Sequence, residues 1–275
     1  MKYKDIMVYI DDGASNKERI KAAISLAEAQ GARLTGVTMA SIEPEHLKVS
    51  DKKTLAIMCE KEAYKRVENF AKKAQKKGIE VATSVVKGSD GDASRKLAQF
   101  ARNFDLVILR QANPKYKNAD LVKEIASQVL LLSGRPVFFM PYIGAHRIPC
   151  EKAMIAWDGT PAATRAVHDV IPMLECIKEV IILVVQEGKK KTNKGELLTD
   201  DLVAHLGRHG VDATVRKVTT GTFDVPTVIL NQISENDIDL LVMGGYGTPS
   251  LKQKLFGGVT RTLLSTMIVP VVMSH

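Results

Sequence analysis

The feature that most constrains the fold is an alternation of apolar runs and helix-length segments that occurs twice along the chain. The first half contains the runs KDIMVYI, ARLTGVTM, IEVATSVV, FDLVIL and RPVFFM, and the second half contains KAMIAW, VIILVV, VDATVRKV, IDLLVM and VPVVM. Parallel strands need crossover connections, and helices between the runs supply them. The pattern predicts an α/β protein made of two tandem, doubly wound, parallel five-stranded sheets.

Matching residues set the register between the two copies. The pair Asp105-Leu106 corresponds to Asp239-Leu240, and Pro136-Val137 corresponds to Pro270-Val271. In each correspondence the two matching residues lie the same number of positions apart, so the two halves align as copies of one another. The period is too long for a solenoid repeat and predicts two complete domains.

A linker with two prolines and a glycine, Pro141 to Lys152, follows the fifth apolar run of the first copy. We therefore predict a first domain over residues 1–143 and a second over residues 149–275. A chain of 275 residues is an ordinary length for two domains.

The net charge of +8 raises the question of a nucleic-acid partner. Residues 1–148 hold 26 of the 39 basic and 17 of the 31 acidic side chains, so the whole excess lies in the first half. Much of it falls in the segment Cys59 to Gly78, whose apolar residues recur at helical spacing with lysines between them. We interpret this segment as a solvated helix face and expect no nucleic-acid partner.

Composition also favours a cytoplasmic protein. No apolar run approaches the roughly 18 residues of a membrane span, and the segment Met1 to Ile10 lacks the features of a signal peptide. The three cysteines (Cys59, Cys150 and Cys176) have neither a paired spacing nor a CxxC motif. We expect no membrane, no disulfide framework and no metal site.

A glycine-rich loop follows the fourth apolar run of the second copy. This run ends at Met243, and the residues of interest that follow are Gly244, Gly247, Gly257, Gly258, Val259 and Thr260. Glycines allow close approach of the backbone to a ligand, and the N–H groups that begin a helix attract anions. The carboxyl end of a parallel strand is also where open α/β sheets bind ligands. A phosphate site and a plain loop with a helix cap both fit this spacing.

At this loop the sequence resembles the universal stress protein family, specifically its tandem two-domain members. The family's nucleotide-binding pattern is glycine, two residues, glycine, nine residues, glycine, then serine or threonine. Gly244, Gly247 and Gly257 meet it, whereas Gly258 takes the place of the hydroxyl residue, with Thr260 as a substitute two positions later. The resemblance implies a fold like that of the adenine-nucleotide α-hydrolases and a bound adenine nucleotide.

The resemblance also assigns roles in two other strands. Asp158 matches the aspartate that faces the nucleoside and Gly159 turns the chain into the next helix, while a cap or turn residue is the structural alternative for Asp158. Val185 matches the position whose backbone pairs with the adenine edge. Lysines at 189–191, 252 and 254 are near enough in this topology to meet a triphosphate, although most such lysines are solvated surface.

The first copy departs from this pattern. It keeps Asp11 and Asp12 before Gly13, but its fourth run leads into the segment Arg110 to Ile125, which contains no glycine. We expect this domain to have lost the site and to serve a structural or partner-binding role.

Catalytic motifs are weak. His205 and His209 are four residues apart but lack the acidic residue of a metalloprotease motif, so two surface histidines are the favoured interpretation. His168 and the cysteines have no activating neighbours in sequence. Whether the chain is an enzyme stays open, with slow ATP hydrolysis as the most that we expect.

The resemblance implies a stress-response protein whose second domain binds ATP or a related adenine nucleotide, with or without Mg²⁺, as a regulatory ligand. The alternative is a nucleotide-free module of the same fold that binds an unknown protein partner or another small molecule. A hydrolase or nucleotidyl-transfer enzyme is a weaker third hypothesis. The fifth strands, RPVFFM and VPVVM, are expected to pair as an internal pseudo-dimer, and a homodimer through other faces stays open.

Overall fold

The computed structural model describes residues 2–40, 51–88, 92–144, 146, 148–186, 193–246 and 258–275. The chain divides into two compact units, which cover residues 2–143 and 144–275. Each unit contains a parallel sheet with helices between its strands, and the two units are described in turn.

The first unit alternates strands and helices from its beginning to its end. Its elements are β1 (Asp5–Tyr9), α1 (Asn16–Gln30), β2 (Arg33–Met39), α2 (Lys52–Gln75), β3 (Val81–Val86), α3 (Ala93–Ala101), β4 (Leu106–Arg110), α4 (Ala119–Leu132) and β5 (Val137–Met140). The strands lie in the order β3-β2-β1-β4-β5, and neighbouring strands are parallel.

The second unit repeats this arrangement. Its elements are β6 (Lys152–Ala156), α5 (Pro161–Leu174), β7 (Glu179–Gln186), α6 (Asn193–Arg208), β8 (Ala213–Thr219), α7 (Val225–Glu235), β9 (Leu240–Gly244), α8 (Gly258–Thr266) and β10 (Val271–Ser274). The order is β10-β9-β6-β7-β8, again with parallel neighbours. In each unit the direction in which successive strands are added reverses beside the first strand, which is β1 or β6. This reversal creates the crevice where such sheets bind ligands.

The central strands are buried on both faces, which explains their continuous apolar sequences. Ile6 and Leu106 in the first unit, and Ala153 and Leu240 in the second, have no exposed surface. A strand covered on both sides by helices has no polar face, so its sequence does not alternate. The two predicted sets of parallel strands are confirmed.

A pair of aspartates fixes the same register in both units. Asp105 Oδ2 accepts hydrogen bonds from the backbone N–H groups of Lys4 (2.7 Å) and Asp5 (3.0 Å). Asp239 does the same with Glu151 (Oδ2, 2.9 Å) and with Lys152 (Oδ1, 2.9 Å). Each carboxylate thus ties the start of the fourth strand to the start of the first. The correspondence of Asp105 with Asp239 that the sequence predicts therefore reflects a contact that both units make.

Strand register extends this correspondence to the carboxyl ends. Ile6 lies opposite Leu106, and Ala153 lies opposite Leu240. Counting forward from these pairs, Asp11 matches Asp158, and the last residue of β4, Arg110, matches the last residue of β9, Gly244.

None of the described helices combines the length and the apolar character that a membrane span requires. The pairing of the two fifth strands that the sequence suggests stays a prediction.

Candidate functional site

A pocket of about 240 Å³ opens at the carboxyl ends of β6, β7 and β9 in the second unit. It draws residues from five segments of the chain. They are Ala156, Trp157, Asp158, Thr160, Leu183, Val185, Val225, Ile229, Met243, Gly244, Gly258, Val259 and Thr260. Most of the lining is apolar, and the polar groups lie near the starts of α5 and α8. This combination is typical of small-molecule sites.

The sequence-predicted residues meet at this pocket from distant parts of the chain. Those that line it are Asp158, Val185, Met243, Gly244, Gly258, Val259 and Thr260. Gly159 lies in the adjoining turn and is not part of the lining. Gly247, Gly257 and the lysines at 189–191, 252 and 254 lie outside the described residues.

The turn from Asp158 to Thr160 connects β6 to α5. Asp158 Oδ1 accepts hydrogen bonds from the Thr160 backbone N–H (3.0 Å) and from its hydroxyl (2.7 Å). Gly159 has a φ of +72°, a conformation that a side chain would strain. Thr160 then caps α5 by accepting from the Ala163 N–H (3.2 Å), and Pro161 begins the helix. The turn role considered for Asp158 is therefore present, and Asp158 is also one of the residues that line the pocket.

Gly244 has a packing role at the end of β9. A Cβ atom built on Gly244 would lie 2.5 Å from the backbone nitrogen of Ala163 and 2.8 Å from the carbonyl carbon of Ala162. The strand therefore approaches the first turn of α5 so closely that only glycine fits. This contact brings β9 and the turn at Asp158 to the same side of the pocket.

Two residues at the start of α8, Gly258 and Thr260, are relevant to the binding of an anion. Gly258 is exposed, and an added Cβ would meet no heavy atom within 4 Å. Thr260 is buried, and its Oγ1 accepts a hydrogen bond from the Tyr246 N–H at 3.2 Å. Thr260 therefore ties Tyr246, which follows β9, to α8, and none of the described residues accepts its hydroxyl proton.

Six lining residues were not among the predicted site residues: Ala156, Trp157, Thr160, Leu183, Val225 and Ile229. Trp157 directly precedes Asp158, so proximity to a predicted site residue was the available signal. Val225 and Ile229 belong to α7, whose start is capped by Asp224. Nothing in the sequence distinguished their side chains from those of an ordinary core-facing helix.

In the first unit, the corresponding place holds a cluster of charged side chains. Arg19 Nη2 donates to Asp11 Oδ1 at 2.8 Å, and Arg110 Nε lies 2.5 Å from Asp11 Oδ2. All three side chains are less than 5% exposed. A Cβ on Gly13 would lie 3.0 Å from Arg110 Nη1. The position matching Gly244 is thus occupied by a guanidinium group that binds the carboxylate matching Asp158.

Burial acts to raise the pKa of Asp11, but the charges of Arg19 and Arg110, with hydrogen bonds from Arg19 and the Gly13 N–H, outweigh it. The pKa is therefore held below its usual value, and the carboxylate is ionised at neutral pH. Asp11 is thus bound by two arginines at the position that matches Asp158 of the second unit.

Three histidines lie together where α5 and α6 meet. The ring centroids of His168 and His205 are 4.8 Å apart, and those of His205 and His209 are 4.7 Å apart. Burial, followed by the charges of the neighbouring His168, His209 and Arg208, lowers the pKa of His205. Within the described part of the chain, no group of three or more His, Cys, Asp or Glu side chains is arranged to hold a metal ion.

Among the described residues no disulfide is formed; Cys59 and Cys150 are buried and Cys176 is exposed. Burial, together with the nearby Asp239 carboxylate, raises the pKa of the Cys150 thiol. A thiol held protonated is a poor nucleophile, so Cys150 is unsuited to covalent catalysis.

The fold and the pocket define a class of protein: two parallel α/β units in tandem, the second with a small cleft at the carboxyl ends of its strands. A profile of the universal stress protein family matches residues 2–138 and again residues 150–275. The chain belongs to the universal stress protein family.

Solved structures show the same fold over nearly the whole chain. A universal stress protein from Archaeoglobus fulgidus DSM 4304 is 16% identical with a TM-score of 0.73, and the match covers 98% of this chain and 94% of that one. A putative universal stress protein from Pseudomonas aeruginosa UCBPP-PA14 is 13% identical with a TM-score of 0.64, covering 98% and 92%. No curated protein sequence matches the chain.

Proposed function

We propose that the second unit binds ATP or a related adenine nucleotide as a regulatory ligand, in a protein of the stress response. The observation that carries this proposal is the pocket itself, because residues selected at three separate strand ends line a single cavity. Its apolar walls suit a purine base. Its volume of about 240 Å³ is below the roughly 300–1,000 Å³ of drug-sized sites, so it suits a nucleoside whose phosphates extend outward.

The groups at the start of α8 are those that would meet the phosphates. The N–H groups of Gly258 and Val259 belong to the first turn of a helix, where backbone donors and the helix dipole favour an anion. Thr260 contributes a hydroxyl proton. Asp158 borders the same cavity with a carboxylate, which can accept a hydrogen bond from a ribose hydroxyl. The described side chains supply no arrangement for Mg²⁺, so the ion would accompany the phosphates.

The first unit is proposed to have no such ligand. Arg110 and Asp11 bind each other where the second unit has Gly244 and Asp158. A role in supporting the fold or in binding another protein is left to this unit.

The chain offers a direct assay, because Trp157 lines the pocket and is the single tryptophan of the sequence. Adding ATP, ADP, AMP, adenosine and GTP to the full chain, with and without Mg²⁺, should change its emission saturably for the adenine compounds. Calorimetry gives the stoichiometry, and one site per chain is expected.

A matched pair of variants on α8 locates the binding event. Val259→Phe places a larger side chain in the lining and should weaken binding by about tenfold or more, equivalent to about 1.4 kcal/mol. Ser265→Phe adds the same ring to an exposed residue of the same helix outside the pocket and should leave the affinity unchanged. Equal affinities in both variants would place the ligand elsewhere.

Gly258 favours a second candidate function. The family pattern has a hydroxyl residue at this position, and its absence removes one phosphate contact. If adenine nucleotides leave both emission and heat unchanged, the second unit is better described as a nucleotide-free module that binds a protein or another small molecule.

A further inference from the structure

The indole N–H of Trp157 is a buried donor without an acceptor. Trp157 is 7% exposed, and its Nε1 atom is buried without a hydrogen-bond partner in the described structure. Buried tryptophan N–H groups usually have a hydrogen-bond acceptor, and leaving this hydrogen bond unmade costs free energy of folding. Trp157 is one of the residues that line the pocket, so the unpartnered N–H belongs to a residue of the proposed ligand site.

The residue of the first unit that matches Trp157 is purely apolar. The backbone N–H of Trp157 donates to the Leu183 carbonyl (2.9 Å), just as that of Ile10 donates to the Val37 carbonyl (2.7 Å) in the first unit. The two residues therefore occupy the same register position. Ile10 is 1% exposed and fills its place with a purely apolar side chain. A polar indole at this position occurs in the unit that has the pocket.

Each of the other polar side chains of the lining makes at least one hydrogen bond within the protein. The Thr160 hydroxyl donates to Asp158 and accepts from the Ala163 N–H. Thr260 accepts from the Tyr246 N–H. Among the described side chains of the lining, the Trp157 N–H is thus a donor that the protein leaves unsatisfied.

We propose that the Trp157 indole N–H donates a hydrogen bond to the ligand and makes Trp157 a specificity-determining residue of the second unit. This inference rests on the proposed function. Leu183, Ile229 and Met243 line the same cavity, and an apolar surrounding excludes a charged phosphate but suits a flat heteroaromatic ring. The acceptor is therefore a ring nitrogen of the purine base. Because Nε1 is fully buried, the indole must turn as the bond forms.

The test couples one side-chain change to single-atom changes in the ligand. Adenosine and its 1-deaza, 3-deaza and 7-deaza analogues, each with one ring nitrogen replaced by C–H, are titrated calorimetrically into the full chain. The wild type should bind one analogue about three- to tenfold more weakly than adenosine, the usual effect of one hydrogen bond. The Trp157→Phe variant should bind adenosine more weakly than the wild type by the same factor. It should bind adenosine and that analogue with equal affinity.

Met243→Leu is the matched control, because it alters the apolar lining without touching a polar group. It should change the affinity for all four compounds by a common factor. A second Trp157 variant carries 3-benzothienylalanine, which keeps the bicyclic shape and replaces the N–H by sulfur. It should reproduce the selectivity of Trp157→Phe even if the smaller ring destabilises the fold.

The outcomes separate the two proposals. If the wild type binds all four compounds equally, or if both Trp157 variants keep the wild-type selectivity, the role of Trp157 is wrong while nucleotide binding stands. If the wild type binds neither ATP nor any of the four nucleosides, the proposed function fails and this inference fails with it.

Discussion

Replacing Gly244 by alanine tests whether the close contact between β9 and α5 holds the site together. The new methyl group would lie 2.5 Å from Ala163 N, 2.8 Å from Ala162 C and 3.0 Å from Ala162 Cβ, whereas ordinary contacts begin near 3.4 Å. Two of these three atoms belong to the helix backbone. A side chain could rotate away from such a contact, but here the first turn of α5 or the end of β9 must shift.

The size of the effect follows from this geometry. Inserting a methyl group into a packed interior costs about 1–3 kcal/mol, and a clash with backbone belongs in the upper part of that range. We expect a loss of about 2–3 kcal/mol. For a unit of this size, that lowers the melting temperature by roughly 5–10 °C. Asp158 and Thr160 directly precede α5, so nucleotide affinity should fall as well.

Gly258→Ala is the matched control. Gly258 also lines the pocket, but an added Cβ meets no heavy atom within 4 Å and its φ is not in the left-handed region. Alanine within a helix is favoured over glycine by about 0.5–1 kcal/mol, so stability should be unchanged or slightly higher. Urea denaturation and calorimetric melting of both variants give the comparison. If Gly244→Ala unfolds no more easily than Gly258→Ala, the explanation of Gly244 by close packing is wrong.

Three further changes test the charged and polar groups. Gly258→Ser should leave ATP affinity equal or raise it by about 0.5–1.5 kcal/mol, the worth of one hydrogen bond, and a large loss in calorimetry would show that glycine is required there. Asp11→Asn leaves two buried guanidinium groups without a counter-charge and should cost about 3–5 kcal/mol in urea denaturation. The pKa of Asp11 is lowered in the folded state, so this deficit should persist from neutral pH to about pH 4 and shrink only as the pH falls through the folded pKa. The pKa of His205 is also lowered in the folded state, so protonation of His205 favours unfolding and stability should fall below about pH 6.5. The His205→Gln variant should show a smaller fall in thermal melts between pH 7 and 5. A pH profile identical to that of the wild type would contradict this role of His205.

The fold was predictable because its determinants are local and repeated. Strands buried on both faces need continuous apolar runs, and the segments between them are long enough for crossover helices. The aspartates at 105 and 239 marked the register because each performs the same task, binding the N–H groups at the start of the first strand. Because both units use an aspartate for this contact, the same residue occurs at matching positions, where a sequence comparison of the two halves detects it.

Of the candidate site, the sequence predicted the residues that the family resemblance and the glycine spacing marked. Asp158, Val185 and Gly244 stand at strand ends, and the topology of a parallel sheet brings such ends together. Val225 and Ile229 reach the pocket from α7, where their apolar character also fits a core-facing helix. The unpartnered N–H of Trp157 depends on where every neighbouring acceptor lies. That is a property of the packed structure and leaves no pattern in the sequence.

The difference between the two units involves more than the missing glycine motif. The sequence explained the first unit by the absence of glycines after its fourth strand. The structure adds that Arg110, at the position of Gly244, reaches back to Asp11 and is held there with Arg19. Restoring the glycines alone would leave this cluster in place, with the carboxylate occupied and the guanidinium group in the space beside it. Because removing one partner would leave an uncompensated buried charge, the cluster resists stepwise reversal. The first unit therefore differs from the second in a stabilising cluster that it contains, in addition to the loop glycines that it lacks.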